Sequence, residues 1–186
     1  MIPPLNKKIQ SSQLLAISLA EAAIQCRLSP DELDAIDSAS LTNYIQAAQE
    51  LLENKYNIAF GTATYQATIP TVESEFDKIV TIPIRPFTAI TSVTVNGQTT
   101  SDYTVTQGSN HTQVCIPSLS KGDKVVIDYT AGFATAASVP PSVKLSVALL
   151  TSHYFDNRNP QTNSSINNIG YAIESLMLPF TKLTIA

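Results

Sequence analysis

The segment over residues 139–158 constrains the fold of this chain more than any other part of the sequence. It opens with Pro140 and Pro141, and a proline at the first position of a helix loses no needed hydrogen bond. Apolar residues then cover most of the helical circumference, with Lys144 as the single charge before the last turn. A helix that is apolar nearly all round must be covered by neighbours on several sides. The sequence therefore predicts a central helix that ends near Arg158.

Two helix starts precede this central helix. Ser18 and Glu21 have the spacing of a capping box, in which both side chains bind backbone amides of the first turn. This spacing predicts a short helix over residues 19–27. A second start combines a serine, an early proline and acidic residues that favour the helix dipole, and it predicts a helix over residues 29–56. A break at 37–40 stays open, because serine and aspartate compete with the helix backbone there.

Between residues 61 and 132 the composition and the apolar periodicity of the sequence change. Threonine, valine, isoleucine and tyrosine dominate, and the apolar period falls to two, which is typical of half-buried strands. Asn96–Gly97 between two alternating runs is a strong signal for a hairpin. The predicted strands are Ala63–Ile69, Lys78–Ile84, Ile90–Val95, Tyr103–Thr106, Gln113–Ile116 and Lys124–Tyr129.

This order of helices, strands and helices predicts an α+β fold. We expect a small helical bundle, built from the N- and C-terminal parts, with an inserted antiparallel β unit that resembles a sandwich or barrel. The predicted parts are an N-terminal helical part at 1–60, an inserted β domain at 61–132 and a C-terminal helical part at 133–186. The last part carries a short helix over Tyr171–Leu178 and a strand-like tail.

Charge and cysteine content exclude several classes of function. Charged residues make up 14% of the chain, against roughly 25% in typical soluble domains, which favours a surface that partners cover. The net charge is −4 and basic residues do not cluster, so we expect no specific nucleic-acid binding. No apolar run reaches the roughly 18 residues of a membrane span. Cys26 and Cys115 lack metal-site spacing, which indicates buried thiols and a protein made in a reducing cytoplasm.

The sequence offers no constellation of catalytic residues. Its two histidines are His111, in a predicted hairpin loop, and His153, on the apolar central helix. Neither has a cysteine, histidine or carboxylate partner at ligand spacing, and the chain carries no phosphate-binding glycine loop or nucleophile elbow. We therefore expect a protein that is not an enzyme and that has no catalytic, cofactor-binding or metal site.

Several short motifs occur in a fixed order along nearly the whole chain. Val126–Gly132 ends a strand on Tyr-Thr-Ala-Gly, Val139–Pro141 starts the central helix, and His153–Arg158 ends it. In this order they resemble the head–tail connector proteins of tailed bacteriophages, also described as adaptor or head-completion proteins. Further stretches that agree with this family are residues 18–23, 47–53, 82–93 and 173–180.

The resemblance implies a structural protein of the virion. Such adaptors form a ring, usually of twelve subunits, beneath the portal protein, extend the DNA channel and offer a platform for a stopper or tail protein. Double-stranded DNA would pass through the lumen without specific binding, which suits an acidic wall without clustered basic residues. The expected location is the head–tail junction of the virion, after assembly in the host cytoplasm, with no membrane contact and no cofactor.

Two groups of residues are candidates for assembly contacts. A tail that alternates apolar and polar residues is expected to dock on the portal by adding a strand to a neighbouring edge, the alternative being a strand folded back on its own subunit; it comprises Phe180, Thr181, Lys182, Leu183, Thr184 and Ile185. Three apolar residues of the second helix region are candidates for contact with the adjacent subunit, the alternative being an intramolecular core: Leu33, Ile36 and Tyr44.

Two other functions remain open from the sequence. One is a tail-completion or stopper protein, which would share the virion but not the position in the neck. The other is a ligand-binding module, in which exposed tyrosine and asparagine side chains of the β unit would line a site on a helical support.

Overall fold

The computed structural model describes residues 5–11, 14–74, 78–108, 111–157 and 167–181. They form an α+β fold, as the sequence predicts. The helices are α1 Leu19–Gln25, α2 Ala35–Tyr56, α3 Pro141–Asp156 and α4 Asn167–Met177, with short 3₁₀ helices at Pro30–Glu32, Ala136–Ser138 and Leu178–Phe180. The strands are β1 Leu5–Ser11, β2 Ala63–Ile69, β3 Ile79–Ile82, β4 Phe87–Val95, β5 Gln98–Thr99, β6 Thr104–Gln107, β7 Thr112–Cys115 and β8 Val125–Ala131.

The described residues divide into two compact units. The β unit contains β1 and the segment Asn57–Ala134. The helical unit contains Leu14–Tyr56 and the described residues from Thr135 onward. Strand β1 therefore belongs to the β unit, although the whole of α1 and α2 separates it from the other strands along the chain.

The β unit consists of two antiparallel sheets. One has the order β1-β2-β8-β4-β5 and the other the order β3-β7-β6. Burial alternates strictly along β8, which pairs with β2 on one side and with β4 on the other. The inward residues of β8 join those of β3 and β7 in one apolar core. The two sheets thus enclose this core between them, and each hides one face.

Aromatic rings fill the middle of this core. The Tyr129 ring stacks on Tyr65 at 5.7 Å and on Phe87 at 6.4 Å between centroids. Burial raises the pKa of the Tyr129 hydroxyl, because the charged phenolate loses its hydration. That hydroxyl lies 3.4 Å from Asn6 Oδ1, to which it donates a hydrogen bond. The edge strand β1 is thereby joined to the core by a side chain as well as by its backbone pairing with β2.

The predicted Asn96–Gly97 hairpin is confirmed. Asn96 and Gly97 both have positive φ, at 52° and 81°, as the mirror-image turns of tight hairpins require. The six predicted strands are also present, with ends that differ by up to three residues. Strand β1 and the two-residue strand β5 were not among the strands predicted from the sequence.

A close backbone approach joins the two ends of the β segment. Gly132 has φ +122°, and a Cβ built there would lie 2.6 Å from the Gly61 carbonyl carbon, with a still closer contact to the Gly61 carbonyl oxygen. The Phe133 amide donates to the Ala59 carbonyl at 3.3 Å, and the Gly132 amide donates to Pro86. Only glycine fits at position 132, because any side chain would push the two chain segments apart.

In the helical unit, α3 packs against α1, α2 and α4. Pro141 occupies the first turn of α3, as predicted, and the helix ends at Asp156; the predicted end at Arg158 lies outside the described residues. Val143, Val147 and Leu150 of α3 are buried. The sequence argument that this helix needs neighbours on several sides is therefore confirmed.

The first two helices each begin after a residue whose side chain caps the helix. The Ser18–Glu21 capping box is present, with hydrogen bonds of 3.2 Å and 2.6 Å, and α1 ends at Gln25, earlier than the predicted 27. The helix predicted over 29–56 is wrong at its start, because a 3₁₀ turn at Pro30–Glu32 precedes α2; the break left open at 37–40 is absent, since α2 runs without interruption over Ala35–Tyr56. Asp34 Oδ1 accepts the Asp37 amide at 2.7 Å, which caps α2 there instead.

Among the helices of the described residues, none is both long enough and apolar enough to cross a membrane.

We predict that Gly132→Ala lowers the free energy of unfolding by about 3 kcal/mol or more, since the new Cβ adds a backbone clash to the strained φ. Gly122→Ala is the matched control, because Gly122 also has positive φ, at +96°, but has open space around its Cβ position. We expect it to cost about 1–3 kcal/mol, from backbone strain alone. Urea denaturation of both variants measures the difference, and equal losses would contradict the role assigned to the Gly61 contact.

Candidate assembly surfaces

The three predicted inter-subunit residues lie in different environments. Leu33 is half-buried against a small core of Ala23, Cys26 and Leu41. Tyr44 is half-buried and its ring lies 6.5 Å from the ring of Tyr154 on α3.

Ile36 is the most exposed of the three residues. It is 77% exposed, because it occupies the first turn of α2 on the side away from the helical core. The helical period that buries Leu41 and Ile45 further along α2 does not turn Ile36 inward. Contact of Leu33, Ile36 and Tyr44 with a neighbouring subunit stays a prediction, and exposure favours Ile36 for it.

Four carboxylates lie close to Ile36 along the chain. Asp31 and Glu32 in the preceding 3₁₀ turn are exposed, as is the capping residue Asp34, and Asp37 follows directly after Ile36. We call residues 31–37 the acidic segment. An exposed isoleucine among four carboxylates is a surface that combines an apolar contact with a negative potential.

Helix α4 presents one buried and one exposed apolar side. Ile173 and Met177 are buried against the helical unit, whereas Tyr171 is 77% exposed and Leu178, directly after the helix, is 67% exposed. Glu174 lies between them and accepts a hydrogen bond from Lys55 Nζ at 2.8 Å. That hydrogen bond raises the pKa of Lys55.

The predicted docking tail begins inside the described residues and continues beyond them. Phe180 closes the 3₁₀ turn Leu178–Phe180 and is half-buried. Thr181 is exposed, has an extended backbone at φ −78° and ψ 131°, and its Oγ1 donates to the Met177 carbonyl at 3.3 Å. The remaining tail residues lie outside the described residues: Lys182, Leu183, Thr184 and Ile185.

His153 lies in the last turn of the central helix, for which Asn157 is the C-cap. The side-chain Nδ2 of Asn157 lies 3.0 Å from His153 Nδ1 and donates to the His153 carbonyl at 2.9 Å. Within the part of the chain that the structure describes, no group of three or more histidine, cysteine, aspartate or glutamate residues has a metal-site arrangement. Cys26 is buried and Cys115 is half-buried, and the two do not form a disulfide bond.

Sequence reasoning missed one exposed surface altogether. In β1, Leu5 is 68% exposed and Ile9 is 54% exposed, and Lys7 between them is exposed as well. A register shift between Lys8 and Gln10 marks a bulge in the pairing with β2. Three consecutive polar residues separate Leu5 from Ile9, so the segment lacks the alternation of apolar and polar residues that would have indicated a strand. We call Leu5–Ile9 the basic edge strand.

The model of the head completion protein family matches residues 31–185, which spans residues of both units. Similar solved structures include three in which the matched region covers 98% of this chain and 97% of the other chain. They come from a "neck of empty GTA particle computed with C6 symmetry" (TM-score 0.77, 17% identity), a "virion of native gene transfer agent (GTA) particle" (0.74, 18%) and a "neck of native GTA particle computed with C12 symmetry" (0.68, 17%).

The structural likeness shows a shared fold, and no curated protein matches the chain in sequence. The family match confirms the family expected from the sequence motifs, and with it the expected structural role in completing the head.

We predict that Ile36→Ala changes the free energy of unfolding by less than about 0.5 kcal/mol, because the side chain is exposed. Ile45→Ala is the matched control, since Ile45 lies on the same helix and is fully buried. It should cost about 2–5 kcal/mol for lost burial and a residual cavity. Thermal and urea unfolding measure both values. A large loss for Ile36→Ala would instead make it a residue of the subunit's own core.

Proposed function

Because the chain belongs to the head completion protein family, we propose that its copies assemble into a closed ring at the head–tail junction of a phage-like particle. The ring joins a portal protein on one side to a stopper or tail protein on the other, and it acts by assembly rather than catalysis. The family match over residues 31–185 is the observation that carries this proposal. The C12 symmetry named for one similar neck structure supports a ring of twelve subunits.

The proposed ring surrounds the channel through which double-stranded DNA passes. A net charge of −4, with 11 basic and 15 acidic residues, supports passage without tight binding. Clustered lysine and arginine residues would bind phosphates and retard the DNA. We therefore propose a lumen that carries DNA without sequence-specific contact.

Contacts between neighbouring subunits are proposed to involve the helical unit, with the predicted insert at 61–132, which does not contain β1, at the periphery. The candidates remain Leu33, Ile36 and Tyr44. Exposure supports Ile36 most, since Leu33 and Tyr44 already contact residues of their own subunit. An exposed isoleucine gains about as much from burial in a ring as a core residue gains on folding.

The tail Phe180–Ile185 is proposed to attach the ring to the portal. The extended backbone at Thr181 supports a strand that adds to a neighbouring sheet edge. In such a complex, main-chain hydrogen bonds supply affinity, and alternate side chains fix the register.

We expect the purified protein, mixed with the portal protein of its own particle, to form a complex that contains a ring of this chain. Native mass measurement gives the copy number, and cryo-electron microscopy of the complex gives the position. A chain that stays monomeric in the presence of portal, or that binds it away from the channel mouth, would contradict the proposal.

Deletion of Leu183–Ala186 should reduce portal attachment by at least about tenfold, because the strand loses its apolar register residues. The substitution pair Leu183→Ser and Ile185→Ser should act in the same direction, whereas Thr184→Ser, on the opposite side of the strand, should not. A pull-down on immobilised portal measures attachment. Unchanged attachment rules out the docking role, and a lower free energy of unfolding with normal attachment indicates a tail folded on its own subunit.

A further inference from the structure

The basic edge strand presents an apolar and positive surface. Residues directly opposite each other in an antiparallel pair share one face of the sheet. Leu5 pairs with Thr68 and Lys7 with Gln66, so both lie on the face that points away from the buried Ala67. Ile9, at the bulge, extends the exposed apolar area.

The acidic segment of the helical unit is the electrostatic complement of this strand. It places exposed Ile36 among Asp31, Glu32, Asp34 and Asp37. The basic edge strand places exposed Leu5 and Ile9 around Lys7 and contains no acidic residue. One surface is apolar with negative charge and the other apolar with positive charge.

Other exposed apolar residues in the described part of the chain have a weaker positive surrounding. Around Tyr171 and Leu178 on α4, the charges are the mutually paired Lys55 and Glu174. Ile24 on α1 has an acidic residue three positions before it and a basic residue three positions after it. Leu145 on α3 and Ile79 on β3 each follow a lysine, but each is a single exposed apolar side chain, whereas the basic edge strand has two.

We propose that the basic edge strand of one subunit docks on the acidic segment of the next subunit in the ring. This inference rests on the proposed function, and it names the partner surface of Ile36. The two surfaces differ from each other, so the contact is heterologous: repetition around an axis closes a ring, and each subunit uses both surfaces once. Burial of Ile36 against Leu5 and Ile9 supplies contact area, while the charges select the partner and its orientation.

The test changes the charges on each side. Lys7→Glu reverses one of the two charges of the strand, and the double variant Asp31→Lys with Glu32→Lys reverses two of the four charges of the segment without touching the cap at Asp34. Each should raise the protein concentration needed for half-maximal ring assembly on portal by roughly five- to tenfold, since the net charge attraction between the two surfaces is lost. The triple variant should recover most of that loss. Lys121→Glu, in an exposed turn of the β unit, is the matched control and should assemble normally.

Mass photometry of the portal complexes reads out ring occupancy, and circular dichroism verifies the fold of every variant. High salt should shrink the difference between the wild type and Lys7→Glu, because exposed charges are screened. If Lys7→Glu assembles at the wild-type concentration, this contact is wrong. The contact is also wrong if the triple variant assembles as poorly as the losses of its component variants add up to. Neither outcome contradicts the proposed ring. A wild type that forms no ring with portal overturns the proposed function and this contact together.

Discussion

The close approach of Gly61 and Gly132 is the constraint on which the β unit depends. The chain leaves α2 at Tyr56 and returns from β8 after Ala131, and the first residues of β2 pair with the last of β8, Ala63 with Ala131. Hydrogen bonds close this point, from the Ala59 amide to Arg85 at 2.8 Å and from Phe133 to Ala59. Because β2 and β8 are neighbours inside the larger sheet, an error at this point would displace the register of the strands that carry the core.

Local patterns were sufficient to predict most of the strands and the central helix. Strand β2 was predicted with its observed bounds, because alternation of apolar and polar residues is a property of the strand itself. Strand β1 was missed because both faces of its described residues are exposed, so burial leaves little alternation to detect. Its place in the sheet depends on pairing with residues almost sixty positions away, and on the Tyr129 hydroxyl that bonds Asn6. Such long-range contacts produce no recognisable pattern in the local sequence.

Two residues compete to cap the start of α2, and the sequence alone does not decide between them. Ser29 and Asp34 are both residue types that cap helices well. In the structure Ser29 makes no side-chain cap bond, whereas Asp34 accepts the Asp37 amide. Leu33, between the two, packs against the core of α1 and α2. We infer that this packing favours an interruption of the helix before Ala35, since a helix continuous through Leu33 would point the Leu33 side chain in a different direction.

The same limit applies to the assembly surfaces. Helical spacing made Leu33, Ile36 and Tyr44 equivalent, and tertiary packing separated them, because periodicity states which residues share a face and not what covers that face. In the β unit, neutral polar side chains rather than basic ones contact a carboxylate, since Gln66 and Ser92 each donate a hydrogen bond of 2.9 Å to Asp128. On a surface with so few charges, the lysine of the basic edge strand and the carboxylates around Ile36 have few competitors. A small number of charges is then sufficient to select one neighbour and one orientation.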